Sequence, residues 1–129
     1  MDASWQTTIR RLAPGDEEVV RRLAEHEPQT ALLADDRTVF VAAFDGDDPV
    51  GFAFGYVLPR RHGKPTGMFV YELGVDEPYR RRGIGRRLMQ ELLAGREEAY
   101  VLTEPENEAA NALYASLGGV RVETVMWDF

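Results

Sequence analysis

Arg80-Arg81-Arg82-Gly83-Ile84-Gly85 follows the β-forming run Met68 to Val75 and opens an apolar helical period, Ile84, Leu88 and Leu92 with Met89 and Leu93 beside it. The stretch therefore reads as a strand-turn-helix junction. A helix N-terminus presents unpaired N–H groups and the positive end of a dipole, so arginines there are unfavourable unless an anion joins them. Arg80, Arg81, Arg82, Arg86 and Arg87 are five of the fifteen basic residues, packed into eight positions. A basic run is usually a solvated helix face. Gly83 and Gly85 weaken a helix, however, and let a ligand approach the backbone, which suits a pyrophosphate. Two other phosphate motifs fail on spacing: no G-x-x-x-x-G-K-[ST] run exists, and Leu88 stands where a dinucleotide fingerprint needs its third glycine.

Working outward, Thr7 to Leu12 reads as a strand, and Pro14-Gly15-Asp16 opens a helix with Val19, Val20, Leu23 and Ala24 on its apolar face. Thr30 to Ala34 gives a short helical turn. Asp45-Gly46-Asp47-Asp48 joins Thr38 to Phe44 and Val50 to Leu58 as an antiparallel hairpin, and Pro59 to Gly67 is a loop. Beyond the helix that ends near Gly95, Ala99 to Thr103 is a strand, Asn107 to Leu117 a helix, and Val120 to Phe129 a last strand. The order β-α-(α)-β-β-β-α-β-α-β predicts one α/β domain over residues 1–129, with a mixed, mostly antiparallel sheet flanked by helices.

At 129 residues and 44% hydrophobic content the chain can bury its own core. A net charge of -7 opposes a nucleic-acid partner and favours a cationic one. No cysteine is present, so thiolate metal sites are impossible, and no cluster has metal-ligand spacing. Met1 to Arg11 lacks the pattern of a signal peptide, and no apolar run approaches a membrane span. A cytoplasmic protein is expected.

The turn 80–85 resembles the R/Q-x-x-G-x-G/A signature of the GNAT superfamily of N-acetyltransferases. Asn107-Glu108-Ala109-Ala110-Asn111-Ala112-Leu113-Tyr114-Ala115-Ser116-Leu117-Gly118 is similar to its second motif, N-x-x-A-x-x-L-Y-x-x-x-G. The resemblance implies acetyl-CoA in a splay between two parallel strands, Met68 to Val75 and Ala99 to Thr103. Pantetheine would pair with the backbone around Leu73, Gly74 and Val75, the pyrophosphate would rest on Arg80, Arg81, Arg82, Gly83, Ile84, Gly85 and Arg86, and Asn107 would touch the pantetheine arm.

An amine is mostly ammonium at neutral pH, so its attack on a thioester needs a base, and the departing sulfur needs an acid. Glu72 lies in an apolar strand where a carboxylate is costly to bury unpaired, and it is the candidate base; an exposed edge-strand Glu is the plainer alternative. Tyr114 is the candidate acid on the family motif, although on spacing alone it reads as a core tyrosine. Within the superfamily, Tyr56-Val57-Leu58-Pro59, Tyr71-Glu72-Leu73-Gly74-Val75 and Val125-Met126-Trp127-Asp128 are similar to type I aminoglycoside 3-N-acetyltransferases, with Glu72 in place of their Asp and the 25–38 region shorter. That resemblance implies an aminoglycoside bound through Glu72, Asp128, Glu104 and Glu123. A polyamine or protein amine is the alternative acceptor, and a non-catalytic coenzyme A sensor the alternative of another class. An exposed last strand could pair with its copy in a homodimer.

Overall fold

A computed structural model describes residues 6–63 and 65–129. The start of the Met1 to Arg11 stretch therefore lies outside the described residues. The elements are β1 (Thr7–Arg11), α1 (Glu17–Leu23), a 3-10 turn (Thr30–Ala34), β2 (Thr38–Asp45), β3 (Asp48–Pro59), β4 (Thr66–Val75), a second 3-10 turn (Glu77–Tyr79), α2 (Ile84–Leu93), β5 (Ala99–Val101) and α3 (Glu108–Ser116). The sheet runs β1-β2-β3-β4-β5. Its first three pairings are antiparallel and β4-β5 is parallel.

Both faces of the sheet are covered, which explains why β2 reads as an unbroken apolar run rather than an alternation. Val39, Val41 and Ala43 join Met68, Val70 and the α2 residues Ile84, Leu88, Met89 and Leu92 in one core. Phe40, Ala42 and Phe44 pack with Val20 of α1, Leu12 and Phe54 in another. The β2-β3 hairpin closes at Gly46, whose φ of 60° is the left-handed conformation a two-residue loop of this kind requires.

Two departures from a regular sheet matter for the site. First, β4 and β5 pair only through Met68-Ala99, Phe69-Tyr100 and Val70-Val101, after which the strands part. Second, the register of β3 on β4 slips: Gly55 faces Val70 while Phe54 faces Glu72, so Tyr71 is an extra residue on β4. The bulge reverses the alternation. Met68 and Val70 precede it on the α2 face; Leu73 and Val75 resume that face after it, leaving Glu72 on the α1 face opposite Phe54.

One expected element does not form. Residues 119–129 are in neither strand nor helix, and 120–129 are exposed throughout. Period-2 patterning specifies a strand only when a neighbouring edge supplies its hydrogen bonds. Among the described residues the sheet ends at β5, and this segment adds no strand to that edge.

Candidate active site

The junction after β4 begins with Arg80, whose Nε donates to the Val75 carbonyl at 2.8 Å and pins the turn to the strand end. Arg81 has φ 64°, uncommon for a residue with a side chain, and Gly83 has φ 79°. A Cβ at Gly83 would meet nothing within 4 Å, and one at Gly85 would come no nearer than 3.7 Å to Leu113. Neither glycine is forced by packing. Both leave the backbone open, and φ alone explains Gly83. At this helix end the Arg87 N–H donates to the Gly83 carbonyl at 3.1 Å. Ile84, Gly85 and Arg86 precede it, at the positions whose amides an α-helix leaves unpaired.

Four of the five arginines make contacts within the protein. Arg87 donates to the Thr7 carbonyl at 2.8 Å, and Arg86 donates to Ser116 Oγ at 2.6 Å, tying α2 to β1 and to α3. Arg82 lies over the Tyr79 ring at 5.2 Å. Arg80 braces the strand end as above. An anion at this junction would therefore meet backbone amides and the local positive field more than five converging guanidinium groups.

Beyond the parting of β4 and β5 lies a groove of about 310 Å³ that brings Glu72 and Leu73 together with Asn107 and Tyr114. Tyr71, Val101, Leu102, Thr103 and Ala110 complete its lining. Tyr114 packs against the α2-side core, whereas Glu72 stands on the α1 face, so the two candidate groups approach the gap from opposite sides of the sheet. Burial raises the Tyr114 phenol above its ordinary value. Glu72 is exposed at the groove, not buried in an apolar strand as its neighbours in sequence suggest; the bulge carries it out of the α2-side core.

Asn107 caps α3, its side-chain oxygen accepting the Ala110 N–H at 3.1 Å. Asn111 Nδ2 donates to the carbonyls of Asn107 at 2.9 Å and Glu104 at 3.1 Å, fixing the loop before α3. Glu104 is exposed in that loop. Glu123 and Asp128 are exposed in the segment that forms no strand and are not among the groove residues.

The family can now be stated. A model of the acetyltransferase (GNAT) family matches residues 5–119. The chain belongs to that family.

The relatives of this GNAT chain are named for different acceptors. It is 41% identical over 92 residues to the N-alpha-acetyltransferase RimI of Mycobacterium tuberculosis, covering 70% of this chain and 57% of that one. It is 36% identical over 84 residues to the L-2,4-diaminobutyric acid acetyltransferase of Methylotuvimicrobium alcaliphilum, covering 60% of this chain and 46% of the other. The chain therefore spans about half the length of both curated relatives. Among solved structures it is similar to aminoglycoside acetyltransferase HMB0005 from an uncultured soil metagenomic sample, at TM-score 0.81 and 27% identity over 95% of this chain and 97% of that one. It shares its fold with AAC(6')-Iy bound to a coenzyme A–acetylneamine bisubstrate analogue, at TM-score 0.77 and 20% identity over 95% and 97%.

Sequence reasoning passed over two features of the GNAT site. Tyr71, the bulge residue, is 59% exposed and joins an aromatic wall, its ring 5.5 Å from Phe54 and 5.8 Å from Tyr56. Gly55 makes the bulge possible, because a Cβ there would sit 2.7 Å from the Phe69 carbonyl oxygen. A glycine inside a strand is the one sequence signal that pointed to it. Among the described residues no group of three His, Cys, Asp or Glu could hold a metal, and no helix is long and apolar enough to cross a membrane.

Proposed function

We propose that this domain transfers the acetyl group of acetyl-CoA to a primary amine of a cationic small molecule of the aminoglycoside kind, by direct attack in a ternary complex. The single observation that carries the reading is the groove between the parted strands, with Glu72 at one face and Tyr114 at the other. Acetyl-CoA supplies the activated thioester. Its diphosphate suits the unpaired amides at residues 84–86, and its pantetheine arm suits the backbone of Leu73, Gly74 and Val75, which β5 leaves free. Glu72 takes the proton from the incoming ammonium, directly or through a water, and the Tyr114 hydroxyl donates one to the departing sulfur. The ring wall of Tyr71 and Tyr56 beside the Glu72 carboxylate favours a cationic acceptor through both charge and π-faces. Position 3 of the aminoglycoside is the site that the Tyr71-Glu72-Leu73 and Val125-Met126-Trp127-Asp128 resemblances support, with Asp128, Glu123 and Glu104 as further acidic contacts. The fold neighbour named for the 6' position makes that amine the competing site. A cytoplasmic setting agrees with the cysteine-free sequence.

A second reading, acetylation of a protein α-amine, is favoured by the 41% identity to RimI. Thiol release from acetyl-CoA decides between them when followed with sisomicin, kanamycin, diaminobutyrate and a peptide bearing a free N-terminus. Turnover with an aminoglycoside, and mass-spectrometric placement of the acetyl on N3, support the first reading. Turnover with the peptide alone rejects it. Glu72→Gln should lower kcat about 100-fold while coenzyme A binding by calorimetry changes little.

A further inference from the structure

Tyr79 ties the turn before α2 to the tip of the β2-β3 hairpin. Its hydroxyl donates to Asp45 Oδ2 at 2.6 Å, across 34 residues of chain. The second 3-10 turn, which carries it, is stitched to the sheet by the Asp76 N–H, donating to the Val50 carbonyl at 2.8 Å. The Tyr79 N–H closes that turn on the Asp76 carbonyl at 2.9 Å. On the anchored ring lies the guanidinium of Arg82, 5.2 Å from the centroid. Resting on the acetyl-CoA reading above, we propose that Asp45 and Tyr79 are positioning residues for Arg82, and that Arg82 binds the ribose 3′-phosphate of coenzyme A.

A guanidinium can be held in two ways. A carboxylate occupies its N–H donors and cancels its charge, whereas an aromatic ring takes its face and leaves the N–H edge and the charge for a ligand. Arg82 is held in the second way. Among the described residues it makes no ion pair. Asp45 and Asp48, the hairpin acids that act on the Tyr79 phenol, are both engaged by other donors: Asp45 accepts from Tyr79, and Asp48 Oδ1 accepts from Arg22 Nη2 at 2.9 Å. Donation to a carboxylate also enriches the phenol ring in electrons, which strengthens its pull on a cation. Arg81, by contrast, is exposed, and among the described residues no ring or carboxylate holds it. A side chain already ordered loses less freedom when a ligand arrives, so Arg82 is the better phosphate partner.

Its place suits the cofactor's phosphate monoester rather than its diphosphate. The diphosphate has the amides at residues 84–86, and the acyl arm has the groove where β4 and β5 part. Asp45 ends β2, which the sheet order puts on the opposite side of β4 from β5. In coenzyme A the diphosphate stands between the acyl arm and the phosphorylated ribose. A ribose that continues past the amides, away from the groove, arrives at Arg82. A phosphate monoester carries about two negative charges at neutral pH and offers three strong acceptor oxygens, which match the open edge of a guanidinium.

Calorimetry of the full chain with coenzyme A and with dephospho-coenzyme A, which lacks only the 3′-phosphate, reads the assignment directly. The wild type should bind coenzyme A at least about tenfold more tightly. Arg82→Gln should bring the two ligands within about twofold of each other by weakening coenzyme A alone. Tyr79→Leu, which removes the ring, should cut the discrimination to about threefold, and Tyr79→Phe, which keeps the ring and loses its anchor, should fall between Tyr79→Leu and wild type. Thermal melts establish that each variant is folded; Arg82→Gln and Tyr79→Phe decide the matter if Tyr79→Leu is not. A merely structural role would weaken both ligands alike. Equal binding of the two by the wild type, a variant that discriminates as the wild type does, or a variant that loses both ligands in equal measure would overturn the proposal and leave the acetyl-CoA reading standing. Failure of the wild type to bind either ligand would overturn both.

Discussion

In the proposed mechanism Tyr114 owes its task to its placement. Burial against the α2-side core disfavours its phenolate and raises its pKa above the usual 10.0, so the hydroxyl remains a proton donor further into alkali than an exposed tyrosine. The basic limb of the wild-type kcat profile is therefore expected above pH 10, and Tyr114→Phe should lower kcat at least tenfold and remove that limb, leaving coenzyme A affinity within about twofold. Asp16 works in the opposite direction. The hydrogen bond from Arg10, supported by the Ala13 N–H, holds its carboxyl below the usual 3.8. A depressed carboxylate contributes stability above its ordinary value and loses it as pH falls through the lower, folded one. Asp16→Asn should cost about 0.5 kcal/mol at neutral pH, because the pair is partly exposed, and the difference from wild type should vanish in strongly acid urea titrations.

At the scale of the element, the α2 N-terminus and the β4 bulge do the positioning. Gly83→Val places a β-branched residue at φ 79°, which should cost about 1–3 kcal/mol and weaken coenzyme A binding at least tenfold, checked by thermal melts and calorimetry. Leu88→Ala on the buried face of the same helix should cost about 2–5 kcal/mol without a matching loss of affinity per folded molecule. The turn was legible because arginines and glycines at a helix start conflict with local propensity, and such a conflict points to a ligand. The bulge was not. Glu72 within Tyr71-Glu72-Leu73 alternates correctly for an unbroken strand, and only the opposing backbone at Gly55 and Phe69 shows that one residue is extra. Its removal is a test: Gly55→Ala should disturb the register and lower kcat more than it lowers the melting temperature would suggest.

Across the whole molecule, helices on both faces leave the β4-β5 gap open through the sheet, with Tyr114 and Glu72 at its opposite sides. Membership of the GNAT family rests on residues 5–119, and within that span β1, the hairpin, β4, α2, β5 and α3 all fall within a few residues of their sequence-based bounds. Residues 120–129 do not, although their pattern is as strand-like as that of β5. A strand is made by its neighbour, and among the described residues the segment joins no strand of the sheet.

The sequence by itself determined the order of elements as far as α3, the arginine-glycine junction that opens α2 and the family, because these follow from local periodicity, helix-end electrostatics and glycine placement within a few residues. Tertiary structure alone decided which face Glu72 occupies, that Arg80, Arg86 and Arg87 brace the protein, and that the last segment stands free. Each of those depends on a backbone or side chain distant along the chain, and a contact across the fold leaves no mark on the local pattern.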